Sequence, residues 1–145
     1  MIRKEVIVDT NALLIPGEFG VDIFEELERL GYVHIIVPRM VLTELDMLRD
    51  RPGLKGKEKI AATVGYSLIR KYTDASEQER MSTGCTISIE EGEKGEEDTD
   101  EMIVELARKR KAAVLTNDEE LRTKLSQAGI VTVYLRGRNR LEESE

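Results

Sequence analysis

A single-domain α/β fold is what this sequence predicts: three layers, α/β/α, with a mostly parallel five-stranded sheet in the middle. Three observations predict it. Strand-like and helix-like segments alternate along the chain. The strand-like runs are continuously apolar, as strands covered on both faces must be. The length, 145 residues, suits one domain.

The elements follow in order. EVIVDT (5–10) is a short apolar run ending in turn formers, a buried strand. VDIFEELERL (21–30) puts Ile23, Phe24, Leu27 and Leu30 at helical spacing, with Gly31 as the stop. VHIIV (33–37) is β-branched and bounded by Pro38, a second strand. Val41, Leu42, Leu45 and Leu48 give a helical face to about Asp50, which Arg51-Pro52-Gly53 breaks. Ile60, Val64 and Leu68 mark a third helix, roughly Lys57–Tyr72. Residues 73–84 are polar and turn-rich, and CTISI (85–89) is a short strand. An acidic loop, Glu90–Asp98, leads to a helix carrying Ile103, Leu106 and Ala107. AAVLT (112–116) is a strand, EELRTKLSQA a helix stopped by Gly129, and IVTVYL (130–135) the last strand. The domain is expected to span 1–141, with 142–145 an acidic tail that frays.

Charge and cysteine content narrow the function classes. With Cys85 alone, no intramolecular disulfide forms, which fits a reducing cytoplasm. No apolar stretch approaches the ~18 residues of a membrane span. The net charge is −7, but residues 90–101 hold eight acids and one lysine, and 142–145 hold three acids more. Without these two stretches the chain carries +3, so the total does not exclude a nucleic-acid substrate.

The chemistry rests on four acids placed where strands end or helices begin. Asp9 closes VIVDTN, Glu44 lies inside the helix after HIIVP, Asp100 opens TDEMIVELA, and Asp118 follows AVLTN. Taken singly, each reads as a helix cap, a turn residue or a solvated helix position. Together they occupy corresponding edge positions of one α/β pattern, and ligands of such sheets bind beyond the carboxyl ends of the strands. Converged carboxylates hold hard divalent cations for phosphate chemistry. Two rivals stand close by. Asp46 lies about 200° round the helix from Glu44 at 3.6 residues per turn. Asp98 belongs to the acidic loop, though it could serve as an outer ligand. With one Cys and one His there is no set for a structural zinc. His34, within a strand, reads as structural, and Cys85 as core.

The segments VIVDTNALL (6–14), VPRMVLTEL (37–45), DEMIVELA (100–107) and AVLTNDEEL (113–121) together resemble the PIN-domain ribonucleases, with Asp9, Glu44, Asp100 and Asp118 at the signature acids. GEFGVDIFEEL (17–27), LKGKEKIAA (54–62) and VTVYLRGRNRL (131–141) are similar to archaeal relatives of the PIN endonuclease of the small-subunit processome. The resemblance implies a Mg²⁺- or Mn²⁺-dependent endoribonuclease, with one or two ions on the four acids, in pre-rRNA processing. It implies products with 5′-phosphate and 3′-hydroxyl ends and no protein nucleophile. It gives Asn11, Thr116 and Asn117 a role supporting the carboxylates or touching phosphate; ordinary turn chemistry is the other reading of Asn117. The implied substrate is RNA, a structured rRNA precursor, with ribosome-assembly proteins and a homodimer as candidate partners.

Two basic groups are candidates for substrate contact. Arg136, Arg138 and Arg140 follow the last strand, and Lys55, Lys57 and Lys59 precede the third helix, with Arg49 and Arg51 nearby. Arg pairs bidentately with phosphate and Lys acts as a point charge. In a chain with 35% charged residues a solvated face is the ordinary alternative. Two other functions stay open: a toxin-type ribonuclease of a toxin–antitoxin pair, and a non-catalytic RNA- or protein-binding scaffold.

Overall fold

The structure, a computed structural model, describes residues 4–50, 56–74, 86–91 and 98–144, the side chains of 72–74 aside. Cys85, Lys55, Arg51, the segment 75–84 and most of the acidic loop, 92–97, therefore lie outside the described residues.

Six strands form one sheet, in the order β3-β2-β1-β4-β5-β6. They are β1 (Glu5–Val8), β2 (His34–Pro38), β3 (Thr86–Glu90), β4 (Ala113–Leu115), β5 (Thr132–Arg136) and β6 (Arg140–Ser144). The first five are mutually parallel and β6 returns antiparallel to β5. The central strands are apolar because both faces are covered: Val6, Ile7, Val8, Ile35, Ile36, Val37, Val114 and Leu115 have no exposed surface. A 3₁₀ turn (Asn11–Leu14) follows β1, then α1 (Ile15–Phe19), α2 (Ile23–Arg29), α3 (Arg39–Asp50), α4 (Gly56–Asp74), α5 (Thr99–Arg110) and α6 (Glu119–Gln127). The chain steps one way along the sheet from β1 to β3 and the other way from β4 to β5, and right-handed crossovers, the rule for such connections, then place the helices of the two halves on opposite faces. Accordingly α4 packs on α1 and α3, while α5 packs on β1 and β4.

Strand order reverses between β1 and β4, so the loops leaving their carboxyl ends diverge and open a crevice. That crevice is where Asp9 and Asp118 lie.

The α/β/α fold is as the sequence predicts, with two corrections. The sheet has a sixth strand, and Glu142–Ser144 belong to it rather than fraying. The stretch lacks an apolar period, and Leu141 is the one residue of β6 with a buried side chain. The strand exists because a three-residue turn with Gly137 at φ +66° folds it back on β5. The exposed edge is then closed from α2: Leu141 N–H donates to Glu26 Oε1 (3.0 Å), and Arg29 donates to the Leu141 carbonyl (2.8 Å). The second correction is the 3₁₀ turn and α1, where Pro16, Gly17 and Gly20 mask the helical signal. Smaller differences sit at element ends. The helix expected from residue 21 begins at Ile23, because Asp22 caps Phe24 N–H and Glu25 N–H.

The packing of α4 against the 3₁₀ turn is intolerant of a side chain. A Cβ on Gly65 would sit 2.1 Å from the Leu13 carbonyl oxygen, a backbone atom that cannot swing aside. Gly65→Ala is expected to lower stability by about 1–3 kcal/mol, the usual cost of overpacking. A denaturant melt checks this, and an unchanged midpoint would mean that α4 slides freely on the turn.

Candidate active site

Asp9 follows β1 directly and is 5% exposed. Its Oδ1 accepts the Ala12 N–H (2.9 Å), fastening the 3₁₀ turn, and its Oδ2 accepts the Thr116 hydroxyl. The capping function and the carboxylate site thus coexist on one residue. Burial pushes its carboxyl up to about 7, against the hydrogen bonds from Thr116 and Ala12, and the charges of Asp118 and Asp100 push the same way.

Asp118 caps α6: its Oδ1 accepts from Glu120 N–H (2.9 Å) and Leu121 N–H (3.2 Å). Both bonds fall on one oxygen, so Oδ2 takes neither. Its own N–H donates to Thr116 Oγ1 (3.0 Å), so Thr116 links the carboxylate after β1 to the loop after β4. Asp100 sits in the first turn of α5, and its carboxyl is raised by burial and then by Asp118. The cap of that helix is Asp98, which accepts the Glu101 N–H (2.8 Å). Asp98 is not among the residues lining the cleft described next.

Glu44 lies on the cleft side of α3. Its Oε2 accepts the Thr10 hydroxyl (2.8 Å) and its Oε1 the Thr99 hydroxyl. Its rival Asp46 is exposed and pairs with Arg49 (3.0 Å). The four acids line one cleft of about 200 Å³, together with Thr10, Asn11, Leu14, Leu48, Thr99 and Ile103. Among the described residues the lining carries no basic side chain.

Thr10 and Thr99 were not singled out by sequence for this role. Their position beside two of the acids is the only signal, and it reads equally as turn and cap chemistry. The other support residues tie the loops together. Asn11 Oδ1 accepts the Asn117 N–H (3.2 Å), and Asn117 Oδ1 accepts the Leu135 N–H (2.9 Å), joining the ends of β1, β4 and β5.

The donor set fits a hard divalent cation: carboxylates and hydroxyls, with no thiolate or imidazole. As placed, no three acidic side chains among the described residues form a ready coordination set. The reason is visible in the contacts. Both oxygens of Glu44 are held by threonines and both of Asp9 by Thr116 and Ala12.

The arginines lie at the end of the sheet. Arg136 and Arg140 oppose each other across the β5–β6 hairpin, and both pair with Glu142, at 2.8 and 3.0 Å. Arg138 is exposed at the turn. Lys57 and Lys59 are exposed in the first turn of α4 and do not line the cleft. His34, the first residue of β2 and so at the opposite strand end from the acids, is held between Glu5 (2.6 Å) and Ser88 (2.6 Å) in a network with Arg110.

A parallel sheet with a carboxylate cleft at its switch point defines a class of α/β proteins that work at the strand ends. The chain belongs to the PIN-like domain family, whose pattern matches residues 6–138. It is 29% identical over 130 residues to Ribonuclease VapC9 of Archaeoglobus fulgidus, covering 90% of this chain and 82% of that protein. In structure it is similar to the PIN domain endonuclease Utp24, with TM-score 0.68, 19% identity, and coverage of 97% of this chain and 90% of that one. It is also similar to a domain of a functionally unknown protein from Methanocaldococcus jannaschii, with TM-score 0.63, 22% identity, and coverage of 98% and 96%.

Proposed function

We propose that this protein is a metal-dependent endoribonuclease whose cleft is formed by Asp9, Glu44, Asp100 and Asp118. The observation that carries the reading is the meeting of these four carboxylates in one cleft at the switch point of the sheet. A ribonuclease among its relatives and an endonuclease among its structural neighbours support it. We assign it to pre-rRNA processing on the resemblance of 17–27, 54–62 and 131–141 to archaeal relatives of the processome endonuclease, and to the cytoplasm on its single cysteine.

The four acids would hold one or two Mg²⁺ or Mn²⁺ ions, which, when bound, acidify a water and neutralise charge on the scissile phosphate. The chain's own residues do the rest. Thr116 and Ala12 fix the Asp9 carboxylate, and the cap bonds of Asp118 fall on its Oδ1 alone. Thr10 and Thr99 hold Glu44 until a stronger partner takes it. The short chain Asn11–Asn117–Leu135 ties the ends of β1, β4 and β5 together, including the loops that carry Asp9 and Asp118. Among the described residues no Ser, Cys or His lines the cleft as a nucleophile, and the Thr10 and Thr99 hydroxyls there are spent on Glu44.

The test is cleavage of an end-labelled, structured rRNA precursor fragment with Mn²⁺ and with EDTA. Cutting at a discrete position, present with Mn²⁺ and absent with EDTA, is the expected result. Binding without cutting in either condition would move the protein to the scaffold reading. Equal cutting of unrelated RNAs would favour a ribonuclease of the toxin type.

A further inference from the structure

We propose that Arg136 and Arg140 form a phosphate-binding fork, and that Glu142 occupies it as an internal competitor that a phosphate group displaces. On the ribonuclease reading above, on which this rests for its natural ligand, the phosphate belongs to the RNA backbone beside the cleft.

The hairpin register sets the fork. Arg136 lies directly opposite Arg140, which places two like charges side by side on one face, an arrangement that costs stability unless something neutralises it. Glu142, opposite Tyr134, is the next residue of β6 on that face. Its Oε2 is 2.8 Å from Arg136 and its Oε1 3.0 Å from Arg140, so one carboxylate answers both guanidinium groups. A phosphodiester offers the same equipment: one negative charge and two free oxygens. The arginine side chains are 64% and 61% exposed, against 26% for Glu142, so the fork opens to solvent with the carboxylate behind it. Ion pairs this exposed are weak, so an arriving phosphate exchanges with Glu142 at little cost.

The place is suitable as well. The sheet face carrying Arg136 is the one packed against α6, and Asp118 caps that helix. Leu135, the neighbour of Arg136, is bonded to Asn117, the neighbour of Asp118. A backbone leaving the carboxylate cleft along the strand ends therefore reaches the fork next. Arg122 lies over the Tyr134 ring at 4.3 Å and adds a third cation to that face. Among the described residues the cleft lining carries no cation, so cations outside it must supply the attraction: Lys124, whose charge reaches Asp100, and the fork beyond it.

Labelled RNA binding is measured in EDTA by fluorescence anisotropy across a KCl series, for wild type, Glu142→Gln, Arg136→Ala/Arg140→Ala, and all three changes together. Thermal melts establish that each variant is folded. In a second arm, inorganic phosphate is titrated against the arginine Nε signals of wild type and Glu142→Gln by NMR. Glu142→Gln is expected to bind RNA about threefold to tenfold more tightly, the effect of releasing two exposed ion pairs. The double arginine variant should bind more weakly, with a log–log salt slope flatter by about 1.4, two contacts at ~0.7 each for a single strand. In that background Glu142→Gln should gain nothing, because its effect runs through the arginines. Phosphate that shifts the Arg136 and Arg140 signals more strongly in Glu142→Gln, with no RNA bound by any variant, would keep the fork and remove the RNA reading. An equal gain from Glu142→Gln with and without the two arginines would overturn the fork, since only net charge would then matter. So would RNA affinity that none of these changes alters.

Discussion

Asp9→Asn abolishes RNA cleavage and leaves the fold intact or more stable. Asp9 is the acid on which the other parts of the cleft depend: it anchors the 3₁₀ turn through Ala12 and the β4 loop through Thr116, and it feels the charges of Asp118 and Asp100. An amide keeps the shape and one acceptor oxygen, so the turn stays fastened through Ala12. It loses the negative charge a hard cation needs. Changing a group that merely supports a metal ligand costs about 10- to 100-fold, so loss of a central ligand should exceed about 100-fold in cleavage rate. The fold should not suffer, because the wild-type charge is held against desolvation and two like charges. Cleavage rates with Mn²⁺ and melting temperatures in EDTA at pH 8, taken on the same preparations, check both halves. Cleavage at the wild-type rate would sink the carboxylate-site reading. Lost cleavage with a collapsed melting temperature would instead make Asp9 a structural residue.

Much of this was legible in the sequence, for physical reasons that also mark where legibility stopped. The parallel core was readable because strands covered on both faces leave continuous apolar runs, and VIV, HIIV and AVL are such runs. Acids at strand ends were readable because the strand ends were. Glu44 was separable from Asp46 by helical geometry alone, and the structure places Glu44 on the cleft and Asp46 with Arg49 in solvent. What was not legible depends on tertiary pairing. β6 has no pattern of its own; it forms because Gly137 turns the chain and α2 supplies Glu26 and Arg29 to its edge. The same hairpin decides the fate of the arginines. In the sequence Arg136, Arg138 and Arg140 look equivalent, yet register puts the first and last on one side of Glu142 and leaves Arg138 at the turn. Thr10 and Thr99 were hidden for a related reason: a threonine beside an acid is ordinary, and only the approach of α3 brings Glu44 between them.

The second large effect is a fall in stability of the metal-free protein as pH rises, reversed by a divalent cation. The ordinary Asp value is 3.8, and in the folded chain burial raises Asp9 to about 7. Between those values the folded state binds more protons than the unfolded one, so stability decreases with increasing pH across that window. Three units at ~1.36 kcal/mol each amount to roughly 4 kcal/mol by pH 8. Asp100, also raised, acts in the same direction. The opposing groups work at lower pH. Glu5 is lowered because hydrogen bonds from Arg110 and His34 outweigh its burial, and Glu26 because of its hydrogen bond from Arg29. Their contribution is full above 4.5 and lost as pH falls through their folded values, while the Asp9 loss begins at 3.8, so the metal-free optimum should lie at about pH 4–4.5. A cation in the cleft competes with these protons and stabilises by mass action, so its effect should be large at pH 8 and small at pH 5. Thermal melts at pH 5, 6, 7 and 8, in EDTA and in Mn²⁺, measure this directly. Asp9→Asn should flatten the EDTA profile and shrink the Mn²⁺ shift. A wild-type profile that is level from pH 5 to 8 in EDTA would mean that Asp9 is ionised without strain. The four acids would then be an ordinary set of caps and turn residues rather than a site waiting for a cation.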